Sequence, residues 1–165
     1  MIEEIVDIVD ENDNVISTAT RTEAQQQDLR HRLALVCIFN NNGDMLVQWR
    51  SATKSTAPRQ FTASCVETVA SGETYAQAAK RGMQEELGID IDIEEVAIVA
   101  GSHNRNYALY IGEYDGDVTG WEEEADIIDY WSGEEADFMR NRFPYLIAPG
   151  FIDVLDILLE MEDDE

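Results

Sequence analysis

Glu67-Thr68-Val69-Ala70-Ser71-Gly72-Glu73-Thr74-Tyr75-Ala76-Gln77-Ala78-Ala79-Lys80-Arg81-Gly82-Met83-Gln84-Glu85-Glu86-Leu87-Gly88-Ile89 carries the fold signal of this chain. Between Thr74 and Leu87, Ala76, Ala79, Met83 and Leu87 recur at helical spacing and predict an amphipathic helix. Thr74 has a side chain suited to capping its start, and Gly88 can adopt the left-handed conformation that ends a helix. Positions 82, 85 and 86 would then share one face, because residues three and four apart are neighbours on a helix. Glu85 and Glu86 on that face repel each other unless water or a cation stands between them. Carboxylate oxygens suit Mg²⁺ or Mn²⁺, but a glutamate pair in an acidic chain also suits a solvated surface. Spacing alone leaves both open.

Outward from this helix, strands are expected on both sides. Ile5 to Val9 and Val15 to Thr20 flank the turn cluster Asp10-Glu11-Asn12-Asp13-Asn14 and predict a hairpin. Leu33 to Phe39 is apolar on both faces, as a central strand should be, and Asn40-Asn41-Asn42-Gly43-Asp44 turns it into Met45 to Arg50 as a second hairpin. Further strands are expected at 96–100, 107–111 and 127–131, with late helices opening at Ser132 and running from Phe151 to Met161. Strands around one helix with more helices at the end fit an α/β/α sandwich built on a mixed sheet.

The chain has 165 residues, the size of one domain with a real core, and we read 1–165 as a single domain. Its formal net charge is -24, with Lys54 and Lys80 as its lysines. Self-repulsion on this scale is relieved by salt, which suggests an acidic, halophilic protein from a salt-rich cell. The runs Glu122-Glu123-Glu124 and Glu162-Asp163-Asp164-Glu165, the latter an acidic tail, are expected in water. No basic stripe supports nucleic-acid binding. Cys37 and Cys65 lack metal-ligand spacing and read as reduced thiols. No apolar run reaches membrane length and Met1-Ile2-Glu3-Glu4 lacks a basic start, so a cytoplasmic location is expected.

The segment 67–89 resembles the Nudix box, G-x5-E-x7-R-E-U-x-E-E-x-G-U with U aliphatic, through Glu73, Arg81, Glu85, Glu86, Gly88 and Ile89. The resemblance implies a Nudix-type α/β/α sandwich around a mixed β-sheet and metal-dependent cleavage of a diphosphate linkage. It further implies that Glu86 is a metal ligand, that Glu85 is a second ligand or a base, and that Glu73 and Arg81 support the loop-helix geometry. Two positions depart from the pattern: the opening glycine falls on Glu67, and the glutamate after the arginine falls on Gly82. Nothing local explains that glycine, which weakens a helix by about 1 kcal/mol relative to alanine. Glu67 is a possible compensating metal ligand or else an exposed loop residue.

From Asp10 to Lys54 the chain is similar to the Nudix branch of type 1 isopentenyl-diphosphate isomerase, through His31, Phe39-Asn40-Asn41-Asn42-Gly43 and Gln48-Trp49-Arg50-Ser51-Ala52-Thr53-Lys54. That branch implies diphosphate contacts at Arg50 and Lys54. It also implies a histidine-rich metal site and a catalytic cysteine, whose positions fall on Ala24, His31, Thr68 and Val66, so isomerase activity is not expected. The resulting expectation is a hydrolase using Mg²⁺, with Mn²⁺ as the substitute, on a small nucleotide-type diphosphate. The alternative is a catalytically silent domain that binds diphosphates or regulates. No nucleic-acid or membrane partner is expected, and neither substrate nor oligomeric state can be read.

Overall fold

The computed structural model describes residues 2–164. Strands β1 (Ile5–Val9) and β2 (Val15–Thr20) form the expected N-terminal hairpin, whose turn is closed by the Asp10 carboxylate accepting from the Asn12 and Asn14 amides at 2.9 Å. A short helix, α1 (Arg21–Gln26), follows it, started by a reciprocal Thr20 and Glu23 capping box. At six residues it is too short to register as a period in the sequence.

Strand β3 (His31–Phe39) is the centre of the main sheet. Its alternate side chains serve two cores: Leu33, Leu35 and Cys37 face one layer, while Ala34, Val36 and Ile38 face the other. On one side β3 pairs in parallel with β8 (Arg105–Glu113), which in turn pairs antiparallel with β7 (Glu94–Gly101). On the other side the sheet divides. Strand β4 (Met45–Arg50) meets β3 in ladder register at Phe39 and Met45, and then turns away to pair with β5 (Phe61–Thr62) and β9 (Ala125–Trp131). The space beside β3 is taken by β6 (Cys65–Thr68), from Leu33 opposite Thr68 to Val36 opposite Cys65. The expected second hairpin is therefore a hairpin at its tip alone.

Ser64 holds the split. Its hydroxyl accepts from the Ile38 amide at 2.8 Å and donates to the Leu46 carbonyl at 2.6 Å, while the Gln48 side chain donates to the Ser64 carbonyl. The buried backbone groups that the diverging strands leave unpaired are satisfied in this way. Neither β5 nor β6 was expected, because two and four residues carry no usable alternation.

One face of the sheet is covered by α2 (Tyr75–Leu87), the other by α3 (Gly133–Arg142) and α4 (Pro149–Asp163), which completes the α/β/α sandwich around a mixed sheet. Helix α2 begins at Thr74 with a capping box to Gln77 and ends at Gly88, whose φ of 64° lies in the left-handed region. It buries Ala78, Ala79, Gly82, Met83 and Leu87; Ala76, assigned to the apolar stripe from spacing, is exposed and Ala78 takes its place. Glu162 and Asp163 continue α4, while Glu165 and Met1 lie outside the described residues.

The N-terminal hairpin is fastened to the sandwich by Asp13, held at a φ of 65°. Its Oδ1 accepts from Arg32 Nε at 2.9 Å, Asn106 Nδ2 at 3.0 Å and the Tyr75 hydroxyl at 3.0 Å, which joins β3, β8 and α2 to the hairpin turn.

Candidate active site

The divergence of β4 from β3 opens a cavity of about 630 Å³, bordered by the end of β4, by β6 and by the last turns of α2. Of the eleven lysines and arginines in the chain, Arg21, Arg50, Lys54, Arg81 and Arg105 line it. Five of eleven on one cavity, in a chain of net charge -24, is a concentration of cationic side chains that could each meet an anionic group. Six glutamates enter the same cavity: Glu4 from just before β1, Glu67 from β6, Glu85 and Glu86 from α2, and Glu123 and Glu124 from the segment before β9.

The loop before α2 is tied to the helix by a bidentate pair. Arg81 Nε donates to Glu73 Oε2 and Arg81 Nη2 to Glu73 Oε1, both at 2.9 Å, and Nη2 also reaches the Thr68 carbonyl at 3.1 Å. Arg81, with Glu73 first among the causes, is held firmly charged, and its hydrogen bonds keep the Glu73 carboxyl below the usual range. The same guanidinium reaches Glu67 Oε1 at 3.1 Å and Glu85 Oε2 at 3.6 Å. Of these two, Glu67 is well buried, with 14% of its side chain exposed, whereas Glu85, also on the cavity, has 63% exposed. Burial raises the Glu67 carboxyl above its ordinary value despite Arg81.

Glu86 lies deeper, on the face of α2 that looks into the cavity. Burial pushes its carboxyl up to about 8; the Cys65 thiol alongside opposes that rise, the nearby charges of Glu67 and Glu124 add to it, and Arg50 opposes it. A carboxylate in this position lacks compensating positive charge. Glu85 is exposed and Glu86 half-buried, so the two adjacent glutamates of the box occupy different environments. Glu124, placed with its run in water on sequence grounds, is instead half-buried, and accepts from Lys54 Nζ at 2.6 Å; Glu122 and Glu123 are exposed as expected. No local signal could have singled out Glu124, which reaches the site because β9 pairs with β4 and the Ser51 amide extends that pairing to the Glu124 carbonyl. Arg50, at the end of β4, is anchored by Nε donating to the Thr56 carbonyl at 2.9 Å.

Gly82 also has a local role, contrary to expectation. It is buried where α2 presses on β6, and a Cβ there would stand 2.8 Å from Cys65 Sγ and 3.0 Å from the Glu67 Cβ. The close approach of helix and strand requires the missing side chain.

The four positions that bear on isomerase chemistry are also placed. Ala24 is buried in the small core under the N-terminal hairpin. His31 is buried beside the cavity with Nδ1 on the Leu29 carbonyl at 2.8 Å, and burial lowers its pKa, so the neutral ring is favoured. Val66 and Thr68 line the cavity. Cys65, one residue earlier on the strand, is fully buried beneath α2 and its thiol is pushed well above its ordinary pKa by burial.

Among the described residues, no three Asp, Glu, His or Cys side chains converge tightly enough to cage a metal unaided. The donor set nevertheless fits a hard cation: it is all oxygen, it carries more negative charge than its surroundings neutralise, and Mg²⁺ retains several waters and needs few protein ligands.

Basic and acidic side chains thus share one cavity on a three-layer α/β scaffold, and the chain belongs to the Nudix family, whose domain model matches residues 29–145. It is similar to an isopentenyl-diphosphate Delta-isomerase of Serratia proteamaculans, 33% identical over 133 residues, 75% of this chain and 74% of that protein. It is also similar to an uncharacterized Nudix hydrolase of Yersinia pestis, 42% identical over 86 residues, 52% of this chain and 47% of that protein. The chain thus spans about half the length of that relative. Among solved structures, DR0079 from Deinococcus radiodurans superimposes with a TM-score of 0.79 over 93% of this chain and 98% of that one at 20% identity, a likeness of fold. Among the described residues, no helix is long and apolar enough to cross a membrane.

Proposed function

We propose that this chain is a metal-dependent hydrolase that cleaves a diphosphate linkage in a small nucleotide-type substrate. The observation that carries this is the presence, in one cavity, of five of the eleven basic residues beside the carboxylates Glu67, Glu86 and Glu124, of which Glu67 and Glu124 are ion-paired and Glu86, among the described residues, is not. A diphosphate bound with a dication satisfies both halves at once, since the phosphates take the arginines and the cation takes the carboxylates.

In this account Arg50 and Lys54 bind the diphosphate, and Glu86 is the chief protein ligand for Mg²⁺ or Mn²⁺. A divalent cation held there would neutralise phosphoryl oxygens and lower the pKa of an attacking water. Glu85, exposed at the mouth, accepts the proton from that water or supplies a second ligand. Arg81 and Glu73 fix the angle of α2 against the loop, so that Glu86 faces the phosphates. Lys54, engaged with Glu124, is exchanged onto phosphate as substrate enters.

Gly82 favours a second account, a catalytically silent domain that binds diphosphates for a regulatory purpose. Turnover of nucleoside diphosphates and their sugar derivatives with Mg²⁺, followed by phosphorus NMR, separates the two. Cleavage products support the hydrolase; stoichiometric binding with no product supports the silent domain.

Isomerisation, suggested by the name of the Serratia relative, is the weaker account. Val66 offers no proton donor at the cavity wall, and the Cys65 thiol lies beneath α2. Pure protein is expected to leave isopentenyl diphosphate unchanged, and dimethylallyl diphosphate among the products would overturn that expectation.

A further inference from the structure

The two departures from the box pattern lie against each other in space. In the pattern, position 67 is glycine and position 82 glutamate; here position 67 is glutamate and position 82 glycine. Glu67 Oε2 stands 3.2 Å from where a Cβ on residue 82 would be. With C–C and C–O bonds of about 1.5 and 1.2 Å, a glutamate's own carboxylate oxygens lie roughly 3 to 3.5 Å from its Cβ. The carboxylate of Glu67 therefore lies in contact with the space that the side chain of a glutamate at 82 would enter. It gets there because residue 82 has no side chain: a Cβ at 82 would be 3.0 Å from the Glu67 Cβ, too close for both positions to carry one without a backbone shift. Arg81, adjacent in sequence to Gly82, clamps Glu67 from the helix side at 3.1 Å.

We propose that Glu67 and Gly82 are a reciprocal exchange, in which the third carboxylate of the metal site is delivered from strand β6 instead of from helix α2. This deepens the hydrolase account and rests on it for the identity of the ion. Position 82 is then not a lesion in the box, and the chain retains three carboxylates, two of them from α2 and one from β6. Arg81 becomes a positioning residue for Glu67 in addition to pairing Glu73. The split hairpin is part of the same device, because it is β6, inserted between β3 and the departing β4, that carries Glu67 up to the helix.

The test is a set of variants examined for Mn²⁺ affinity by electron paramagnetic resonance and for melting temperature, with neither readout depending on turnover. Glu67→Gln keeps the shape and removes the charge; Mn²⁺ affinity should fall by about tenfold or more with the melting temperature retained. Gly82→Glu alone should melt lower than the parent, because Glu67 and Cys65 block the new side chain. In Glu67→Gly with Gly82→Glu, the vacated space lets Cys65 rotate, and both Mn²⁺ affinity and melting temperature should recover relative to the respective single variants. Mn²⁺ affinity in Glu67→Gln equal to that of the parent would overturn the exchange even if diphosphate hydrolysis were observed. Loss of Mn²⁺ in Glu67→Gln with no hydrolysis by the parent would uphold the exchange and discard the hydrolase. A parent that binds no Mn²⁺ overturns both.

Discussion

Two polar clusters in this molecule are each built around one arginine and have opposite electrostatic balance. At the N-terminal hairpin, Arg32, Asn106 and Tyr75 converge on the single carboxylate of Asp13. Burial works against that charge, but the Asn106, Arg32 and Tyr75 hydrogen bonds outweigh it and leave the Asp13 carboxyl below its ordinary pKa. At the box, Arg81 is divided among Glu73, Glu67 and Glu85, and the next carboxyl inward, Glu86, is pushed up to about 8, chiefly by burial. Three donors meet on one oxygen of Asp13 in the first cluster, whereas in the second, among the described residues, Glu86 has no ion-pair partner to favour its charged form. A saturated cluster fastens elements together, and an unsaturated one facing a cavity is where a ligand can contribute. Arginine and carboxylate content alone would not have told them apart.

Glu86→Gln tests the unsaturated side most severely. Removing the deepest carboxylate should lower metal-dependent turnover by at least about 100-fold, the upper range for losing even a supporting partner of a bound metal. Without metal, the melting temperature at neutral pH should hold or rise, because the variant no longer has to take up a proton at this buried position on folding. A variant that melts markedly lower while keeping its metal affinity would move Glu86 into the structural class with Asp13.

The cationic wall of the cavity is next in size. Arg50→Ala should weaken binding of a diphosphate roughly tenfold to a hundredfold, the equivalent of about 1.5–3 kcal/mol for a hydrogen bond to a charged group. Lys54→Ala should cost less, since Lys54 leaves an ion pair with Glu124 to reach phosphate whereas Arg50 has no carboxylate at salt-bridge distance among the described residues. Calorimetry at one salt concentration measures both. Equal affinity in Arg50→Ala and the parent would withdraw Arg50 from the site.

The clusters also differ in how far the sequence disclosed them. Thr74, Gly88 and the apolar positions gave α2 and its ends, and family spacing drew attention to Glu73, Arg81, Glu85 and Glu86, because these lie within one continuous segment. Glu124 could not be found in this way. It is brought to Lys54 by pairing of β9 with β4, a contact between residues far apart in the chain. The same holds for Asp13, which in sequence is one more member of a turn cluster and in space is the acceptor for three elements. Gly82 was visible as an anomaly, but its cause is a neighbour on another element, so no propensity argument could supply it. The α/β/α class was legible because it follows from the order of elements, whereas the split between β3 and β4 depends on one hydroxyl, Ser64, in an otherwise ordinary loop.

Asp13→Ala probes the saturated side. It leaves three donors without their acceptor and should cost about 1–3 kcal/mol of stability, with diphosphate affinity unaltered. The pH dependence has a definite sign. Asp13 has a folded pKa below its unfolded value near 3.8, so its contribution is complete above that value and is lost as pH falls through the lower folded one. Acid unfolding of the parent should therefore be steeper below about pH 4 than that of Asp13→Asn. Parallel acid limbs, or a loss of ligand affinity in Asp13→Ala, would blur the distinction between the two clusters.

The smallest effect expected is that of salt, and it separates the clusters from the surface around them. With a net charge of -24, the folded chain repels itself, and the screening length falls from about 10 Å at 0.1 M to about 3 Å at 1 M salt. Raising KCl to molar concentration should lift the melting temperature by a few degrees, since 1 kcal/mol corresponds to roughly 2–4 °C in a protein of this size. The gap between the parent and Asp13→Ala should change little, because the Asp13 bonds are short, partly buried and poorly screened. A gap that closes in salt would mean that Asp13 acts through long-range charge instead of through its three hydrogen bonds. An unchanged or lower melting temperature of the parent in molar KCl would remove the proposal of a salt-adapted surface while leaving both clusters as they stand.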